Sequence, residues 1–539
     1  MAAGLGTRMR SSTPKVLHPL CGRPVLAYVL DAAVAATGAR PLVVISPPVA
    51  QIADVFAGQA DFAIHAYPRG TADAIATALR DLPPDVAEII VLSGDVPLVD
   101  PELLVELARA RRDSEAAVAL ISVDMDEPAM LGRVDRGPDG RISGVVEYKD
   151  ATPEQLEINE INSGLYAFDA DWLRGRIADI EPSPVTGELY LPELIPLARA
   201  DERPVATLEV EDDATLLGIN DRAQLADAEL EMRLRINEAH MRAGVTIQDP
   251  ATTYIDAEVE MAEDVTLEPN VHLRGRTAIE RDVVVRSGSQ IFDCHIGART
   301  VVWASVLEDS TVDEDVTIGP FSHVRKGAYI GPSVELGNFA EVKNSNVGPG
   351  TKSHHFSYLG DADVGEKVNI GAGTITANYD GVNKHRTRIG KRAFIGSDTI
   401  LRAPVSVGEG AFTGAASLVT HDVPDGETVL GVPARPRVRR AKPERTFTHR
   451  GHRSDLNAIQ IGLYATLEIK VVIDFLGGRL IRHPIEEVES AKAGFELVRC
   501  RNTTWNLGGH FHFRWFVSHF KISFCIVLCR FFSQLTQSR

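Results

Sequence analysis

Cysteine is scarce in this chain. Cys21, Cys294, Cys500, Cys525 and Cys529 are all that 539 residues hold, which excludes a disulfide framework or a thiolate metal cluster. Aromatic side chains make up only 6%. No run of 18 or more apolar residues occurs, and Met1 is followed by a Gly- and Arg-containing stretch rather than an apolar signal region; a membrane span and an export signal are therefore not expected, and the cytoplasm is. Basic charge is in deficit, with 56 Lys and Arg against 74 Asp and Glu and a formal net charge of −18. Such a surface repels phosphate backbones and anionic lipid, so neither nucleic acid nor membrane is an expected partner and a small molecule is. The length exceeds what one hydrophobic core organises, so several packed units are expected.

Up to about Asn220, short aliphatic runs alternate with Ala-rich helical ones. Arg40 to Ser46, Ala87 to Asp95 and Ala116 to Val123 read as buried strands, and Ala27 to Ala36 and Ala72 to Leu79 as helices. That alternation predicts an α/β domain with a largely parallel sheet and its ligand beyond the carboxyl ends of the strands. Asp221 to Ala243 contains strong helix formers and no Gly or Pro, and stops at Gly244, as a connecting helix would. A period of six then takes over. Val259, Val265, Val271, Thr277, Val283 and Ser289 recur with Met261, Leu267, Leu273, Ile279, Val285 and Ile291 two places on, and Ala393 to Ser417 and Ile395 to Val419 repeat the pattern. One inward aliphatic residue per hexad predicts a parallel β-helix, whose stacked coils bury a core that no single coil forms. From Ala441 onward the composition changes to 14 Lys or Arg against 8 Asp or Glu, with clustered Phe and three of the cysteines. The expected organisation is thus 1–220, 221–243, 244–440 and an atypical, unassigned tail, 441–539, for which a small extra domain, an interaction segment and translation past the natural end of the frame are all open readings, the last preferred.

The opening stretch carries the strongest chemical signal. Gly4 and Gly6 let backbone approach a triphosphate, Arg8 and Lys15 supply cations to developing phosphate charge, and Pro14 sets the path of the lysine. Asp95 in Ser93 to Val99 follows a buried strand, where a carboxylate can hold a magnesium ion that bridges phosphates.

With these residues in place, the chain from Met1 to about Pro436 resembles the bacterial family of bifunctional UDP-N-acetylglucosamine diphosphorylase and glucosamine-1-phosphate N-acetyltransferase enzymes. The resemblance implies uridylyl transfer from UTP to N-acetylglucosamine 1-phosphate in a first domain of Rossmann-like form, and acetyl transfer from acetyl-CoA to glucosamine 1-phosphate in a left-handed, hexapeptide-repeat β-helix that assembles as a homotrimer. It implies that Ala2, Ala3, Gly4, Lys15, His65, Gly70, Thr71, Ser93, Gly94 and Asp95 bind the nucleotide and that Arg8 and Lys15 are catalytic. Gly132, Glu147, Asn162 and Asn220 would meet the sugar phosphate, with Asp95 and Asn220 as the Mg2+ pair. In the repeat region Arg325, Lys343, Tyr358, Asn369 and Lys384 would bind glucosamine phosphate, and Ala372, Asn378, Tyr379, Ser397 and Ala415 would line the acetyl-CoA groove. His355 would be the general base, oriented by Glu341, with Asn378 positioning the amine; the adjacent His354 reads as an ordinary surface residue.

Departures from the family pattern are also legible. The chain begins inside the family's first strand, so a gap is expected at the centre of the sheet; His65 stands where a glutamine is usual, Ala416 where glycine is, and Gly431 where an arginine helps bind CoA. Two other readings are open at this stage: a single-activity sugar-phosphate nucleotidyltransferase with a structural β-helix, and a non-catalytic scaffold. Retention of Lys15, Asp95 and Asn220 opposes the second, and His355 with Asn378 opposes the first.

Overall fold

The computed structural model describes residues 1–437 apart from 127, 129, 212–215 and 217. The expectations for 441–539 lie outside the described residues.

The first part is built from β1 (Leu42–Ile45), β2 (Asp61–Ile64), β3 (Glu88–Val91), β4 (Val118–Asp124), β5 (Arg133–Arg136), β6 (Ile142–Val146), β7 (Glu160–Asp169) and β8 (Val205–Val210), with helices α1 (Val25–Thr37), α2 (Thr71–Ala78) and α3 (Pro101–Asp113). Six residues of β4, Val118 to Val123, are buried, as a central strand covered on both faces requires. Parallel pairing joins β1 to β2 and β4 to β8. The sheet is mixed rather than largely parallel, because the long β7 follows the β5–β6 hairpin and inserts antiparallel to both β3 and β4. β1 and β3 fall in separate sheets. Between them, among the described residues, Met1 and Ala2 form the bridge: the Met1 amine donates to Leu92 O at 2.7 Å, Gly94 N donates to Met1 O at 2.8 Å and Ala2 N to Val44 O at 2.9 Å. Behind this bridge lies a cavity of about 570 Å³ walled by Leu26, Leu30, Val43, Phe62 and Ile90 among others.

Helix α4 (Arg222–Arg242) links the two architectures. Asp221 caps it by accepting from the N–H groups of Ala223 and Gln224. Arg235 donates to Leu98 O at 2.8 Å, and the buried Asn237 donates to Pro250 O and Thr253 O, so one helix is tied to the α/β domain and to the first coil.

The remainder is a coil of short strands in three stacked sheets of 12, 10 and 9 strands, a left-handed parallel β-helix. Like residues stack in register, as in Ile291, Leu307, Val324, Val342 and Leu359, all fully buried. Each such side chain contributes about 1.5–3 kcal/mol of burial. Thr277 and Ser289, polar members of the inward series, satisfy their hydroxyls by donating to Arg274 O and Arg286 O at 2.7 Å. The hexad rhythm fades in mid-sequence because the coils shorten there: Thr266 pairs with Val284, but Val301 pairs with Thr317. Farther on, Asn346 pairs with Asp363 whereas Ala362 pairs with Thr387; the longer coil carries Asn378 to Lys384 out as a loop.

Candidate active sites

A pocket of about 380 Å³ opens beyond the carboxyl ends of the first strands. Ala2, Ala3, Gly4, Lys15, His65, Gly70, Thr71, Ser93 and Asp95 line it, nine of the ten residues expected around a nucleotide. The tenth, Gly94, sits just behind: a Cβ there would stand 2.8 Å from Met1 O, so glycine is what lets these two backbones meet. Gly6 is left-handed (φ 59°), and a Cβ would lie 2.7 Å from Lys15 Cβ; the loop folds over the lysine only because that Cβ is missing. The Lys15 ammonium is bonded to Asp95 Oδ2 and, at 3.1 Å, to Asn220 Oδ1, which also accepts from Arg8 at 2.9 Å. Four residues as much as 212 positions apart thus converge on one point. Ser93 steadies Asp95 through a 2.6 Å bond.

Gly132, Glu147 and Asn162 form a second group. Asn162 N donates to Gly132 O at 3.0 Å, and a Cβ on Gly132 would lie 3.5 Å from Glu147 Oε2. Burial, followed by the neighbouring charges of Asp150 and Glu188, lifts the Glu147 carboxyl above its ordinary value. Asn162 spends its side-chain amide on Tyr166 OH at 2.6 Å and accepts from Gly164 N at 3.1 Å. Glu188 lines the pocket that holds Lys15 and Asp95 and had no sequence signal. Two neighbours that also had no sequence signal brace the Gly70–Thr71 turn from behind: Leu189 accepts from Ala72 N at 3.0 Å and donates to Arg69 O at 2.7 Å, and Leu191 N–H donates to Thr71 Oγ1 at 2.9 Å.

On the β-helix, Arg325 and Lys343 are register partners on adjacent coils, and Glu341 pairs with Tyr358 beside them. The ammonium of Lys384, contributed by the loop, and then Arg325 push the Lys343 ammonium below its ordinary value. A cluster of like charges this close is poised for an anion. Glu341, expected to orient His355, accepts from Arg325 at 2.7 Å; its register partner on the adjacent coil is His323, and Arg325 stands two residues further along the same face. Asn378 donates to the buried Asp361 at 2.5 Å and lies 3.5 Å from Tyr358 OH; Asp361 carried no sequence signal. Tyr379 is exposed and donates to Gly381 O at 2.6 Å.

The adjoining corner holds a groove of about 370 Å³ with His355, Asn369, Ala372, Ser397 and Ala415 in its wall. His355 lies in the turn between Lys352–Ser353, a strand of one sheet, and Ser357–Gly360, a strand of the next. It therefore stands between the groove and the cation cluster. His354 is exposed and bonded to Glu335 at 2.6 Å, yet it also lines the groove, as do Lys352 and the stacked pair Phe394 and Phe412, 4.7 Å between centroids. Ala416 keeps the left-handed backbone (φ 56°) that a glycine would adopt without strain.

The family model for the MobA-like NTP transferase domain matches residues 1–138. Bifunctional protein GlmU of Mycobacterium tuberculosis (strain ATCC 25177 / H37Ra) is 41% identical over 444 residues, covering 81% of this chain and 89% of that protein. The protein of the same name from Kineococcus radiotolerans is 42% identical over 438 residues (80% and 89% covered), and that from Listeria monocytogenes serotype 4a is 40% identical over 425 (79% and 93%). Identity of this extent runs through both architectures, so the β-helix is no structural appendage: the chain belongs to the GlmU family of bifunctional proteins and is an enzyme of UDP-N-acetylglucosamine synthesis for the cell wall, with uridylyltransferase and acetyltransferase activities.

Proposed function

We propose that uridylyl transfer takes place in the pocket of the α/β domain and acetyl transfer at the corner of the β-helix. The convergence of Arg8, Lys15, Asp95 and Asn220 carries the first assignment. Asp95 and Asn220 present two oxygens to one cation, at present the Lys15 ammonium, and this donor set suits Mg2+, which keeps most positions for water and phosphate. When bound, Mg2+ supplies charge neutralisation across the triphosphate of UTP. Lys15 and Arg8 add positive charge as pyrophosphate departs, while Gly4 and Gly6 let the backbone approach the phosphates. A sugar 1-phosphate oxygen forms a bond to the α-phosphorus as the bond to the β-phosphate oxygen breaks. Glu147, Asn162 and Gly132 hold the sugar in line for that attack.

On the β-helix, Arg325, Lys343, Lys384 and Tyr358 bind the phosphate of glucosamine 1-phosphate, and Asn369 lies on the groove side of the same site. His355 takes a proton from the substrate ammonium, the freed amine attacks the acetyl thioester, and the thiolate of CoA leaves. Asn378, held by Asp361, positions the amine; Ala372, Tyr379, Ser397 and Ala415 flank acetyl-CoA. The working form is a cytoplasmic homotrimer. Phe321, Phe339 and Phe356, each more than half exposed on successive coils, support it, since such an apolar ladder is what an interface covers.

Asp95→Ala tests the two-site assignment. It should abolish UTP-dependent pyrophosphate release and leave acetyl transfer nearly unchanged, and equal loss of both activities would refute it.

A further inference from the structure

Asp361 sits at the corner between two short strands, Ser357–Gly360 and Ala362–Val364, and is 7% exposed. It ties three successive coils together. Its N–H donates to Lys343 O at 3.0 Å and its carbonyl accepts from Thr387 N at 3.1 Å. One carboxylate oxygen accepts from Asn344 Nδ2 at 2.5 Å and the other from Asn378 Nδ2. Asn378 and Thr387 lie on either side of the loop that carries Lys384, so one residue holds both ends of that loop. Asn378 is itself 7% exposed, and its backbone carbonyl accepts from His385 N at 2.8 Å. Its side chain has two ends of nearly equal shape and opposite polarity, an amide nitrogen that donates and an oxygen that accepts. A carboxylate only accepts, so Asp361 decides which end faces inward. Nδ2 is bonded to Asp361 and lies 3.5 Å from Tyr358 OH, while Oδ1 has no partner among the described residues.

Resting on the reading of this corner as the acetyl-transfer site, we infer that Asp361 is a positioning residue: by holding Nδ2 of Asn378 it keeps Oδ1 as the end offered to the amino group of the sugar phosphate. The direction matters chemically. The amino group arrives as an ammonium, gives one proton to His355, and regains positive charge as its lone pair forms the bond to the thioester carbon. At every stage it keeps N–H groups that need an acceptor. An amide turned the other way would set donors against donors. A hydrogen bond that strengthens as charge develops acts on kcat rather than on KM, and KM is left to the cations that hold the phosphate.

The test measures acetyl-transfer kcat and the KM for glucosamine 1-phosphate in the full-length wild type, in Asp361→Asn, in Asn378→Ala and in the two combined, with uridylyl transfer and the melting temperature as checks of folding. Asp361→Asn keeps the size of the side chain but lets the Asn378 amide turn, and should lower kcat about 10- to 100-fold, the scale of one hydrogen bond to a charged group, with KM within about threefold. In the Asn378→Ala background the same substitution should have no further effect, because residues that act as one unit are not additive. Exchanging the pair, Asp361→Asn with Asn378→Asp, restores a donor facing an acceptor and still leaves an oxygen for the amine, so it should regain about tenfold in kcat over Asp361→Asn alone. Losses that multiply independently, or a changed KM with unchanged kcat, would overturn the role of Asp361 while the site stands. Wild-type kcat in Asn378→Ala, or no acetyl transfer in the wild type, would remove the reading of the site and the inference with it. A neutron structure of the wild type with glucosamine 1-phosphate bound decides the matter without any variant: Oδ1 of Asn378 should face the amino group, and Nδ2 in its place would refute the proposal.

Discussion

Gly70→Ala puts the architecture of the nucleotide pocket to a direct test. Gly70 has φ 131°, a backbone conformation closed to ordinary L residues, and a Cβ would stand 2.3 Å from Leu189 O, 2.6 Å from its N and 2.8 Å from its C. These are backbone atoms, so no rotamer change relieves the clash. Nor can Leu189 withdraw freely, since it bonds to Arg69 O and Ala72 N and its neighbour Leu191 bonds to Thr71. Backbone strain of about 1–3 kcal/mol and overpacking of about 1–3 kcal/mol together bring the expected loss to about 2–6 kcal/mol, against a typical domain stability of about 5–15 kcal/mol. The variant should show a lowered melting temperature for the α/β domain and at least about a hundredfold loss of UTP-dependent pyrophosphate release, since small misplacements at a reacting centre cost that much. Acetyl transfer on the β-helix should be unchanged. Gly4→Ala is the matched control: nothing lies within 4 Å of its added Cβ, so stability should hold and only the nucleotide KM should rise. A Gly70→Ala enzyme with wild-type melting and turnover would show that the Leu189 segment does not shape the pocket.

His355→Ala should lower acetyl-transfer kcat by about 10²–10⁴ with little change in either KM; a fall in melting temperature with unchanged kcat would mark the histidine as structural. Because burial raises the Glu147 carboxyl, its neutral form favours the fold, and that stability is present below the unfolded value and lost as pH rises through the folded one. Glu147→Gln should therefore raise the melting temperature at pH 7 more than at pH 4 while raising the KM for the sugar phosphate, and an equal shift at both pH values would contradict the assignment. Mass measurement should find three copies in the wild type, and Phe339→Glu should dissociate them; a monomer with full acetyltransferase activity would refute the trimer.

Features with a short sequence period or a compact motif could be read directly. The hexads announced the β-helix because one inward residue per turn is a local requirement, and the Gly-rich opening with Lys15 and the strand before Asp95 were visible for the same reason; the cluster around His355 was legible only through the family resemblance. What escaped was set by contacts between distant segments. The antiparallel insertion of β7, the shortened coils near Val301, the packing of Leu189 on Gly70 and the bond from Asp361 to Asn378 have no local signature. Glu341 shows the limit most clearly: its residue type suited a partner for His355, but on the folded coils it bonds diagonally to Arg325, two residues along from its register partner His323. The sequence by itself determined which chemical groups the protein carries and the repeat that stacks its coils; only the tertiary structure decided which groups face one another, because pairing across coils and sheets depends on the register of the whole chain.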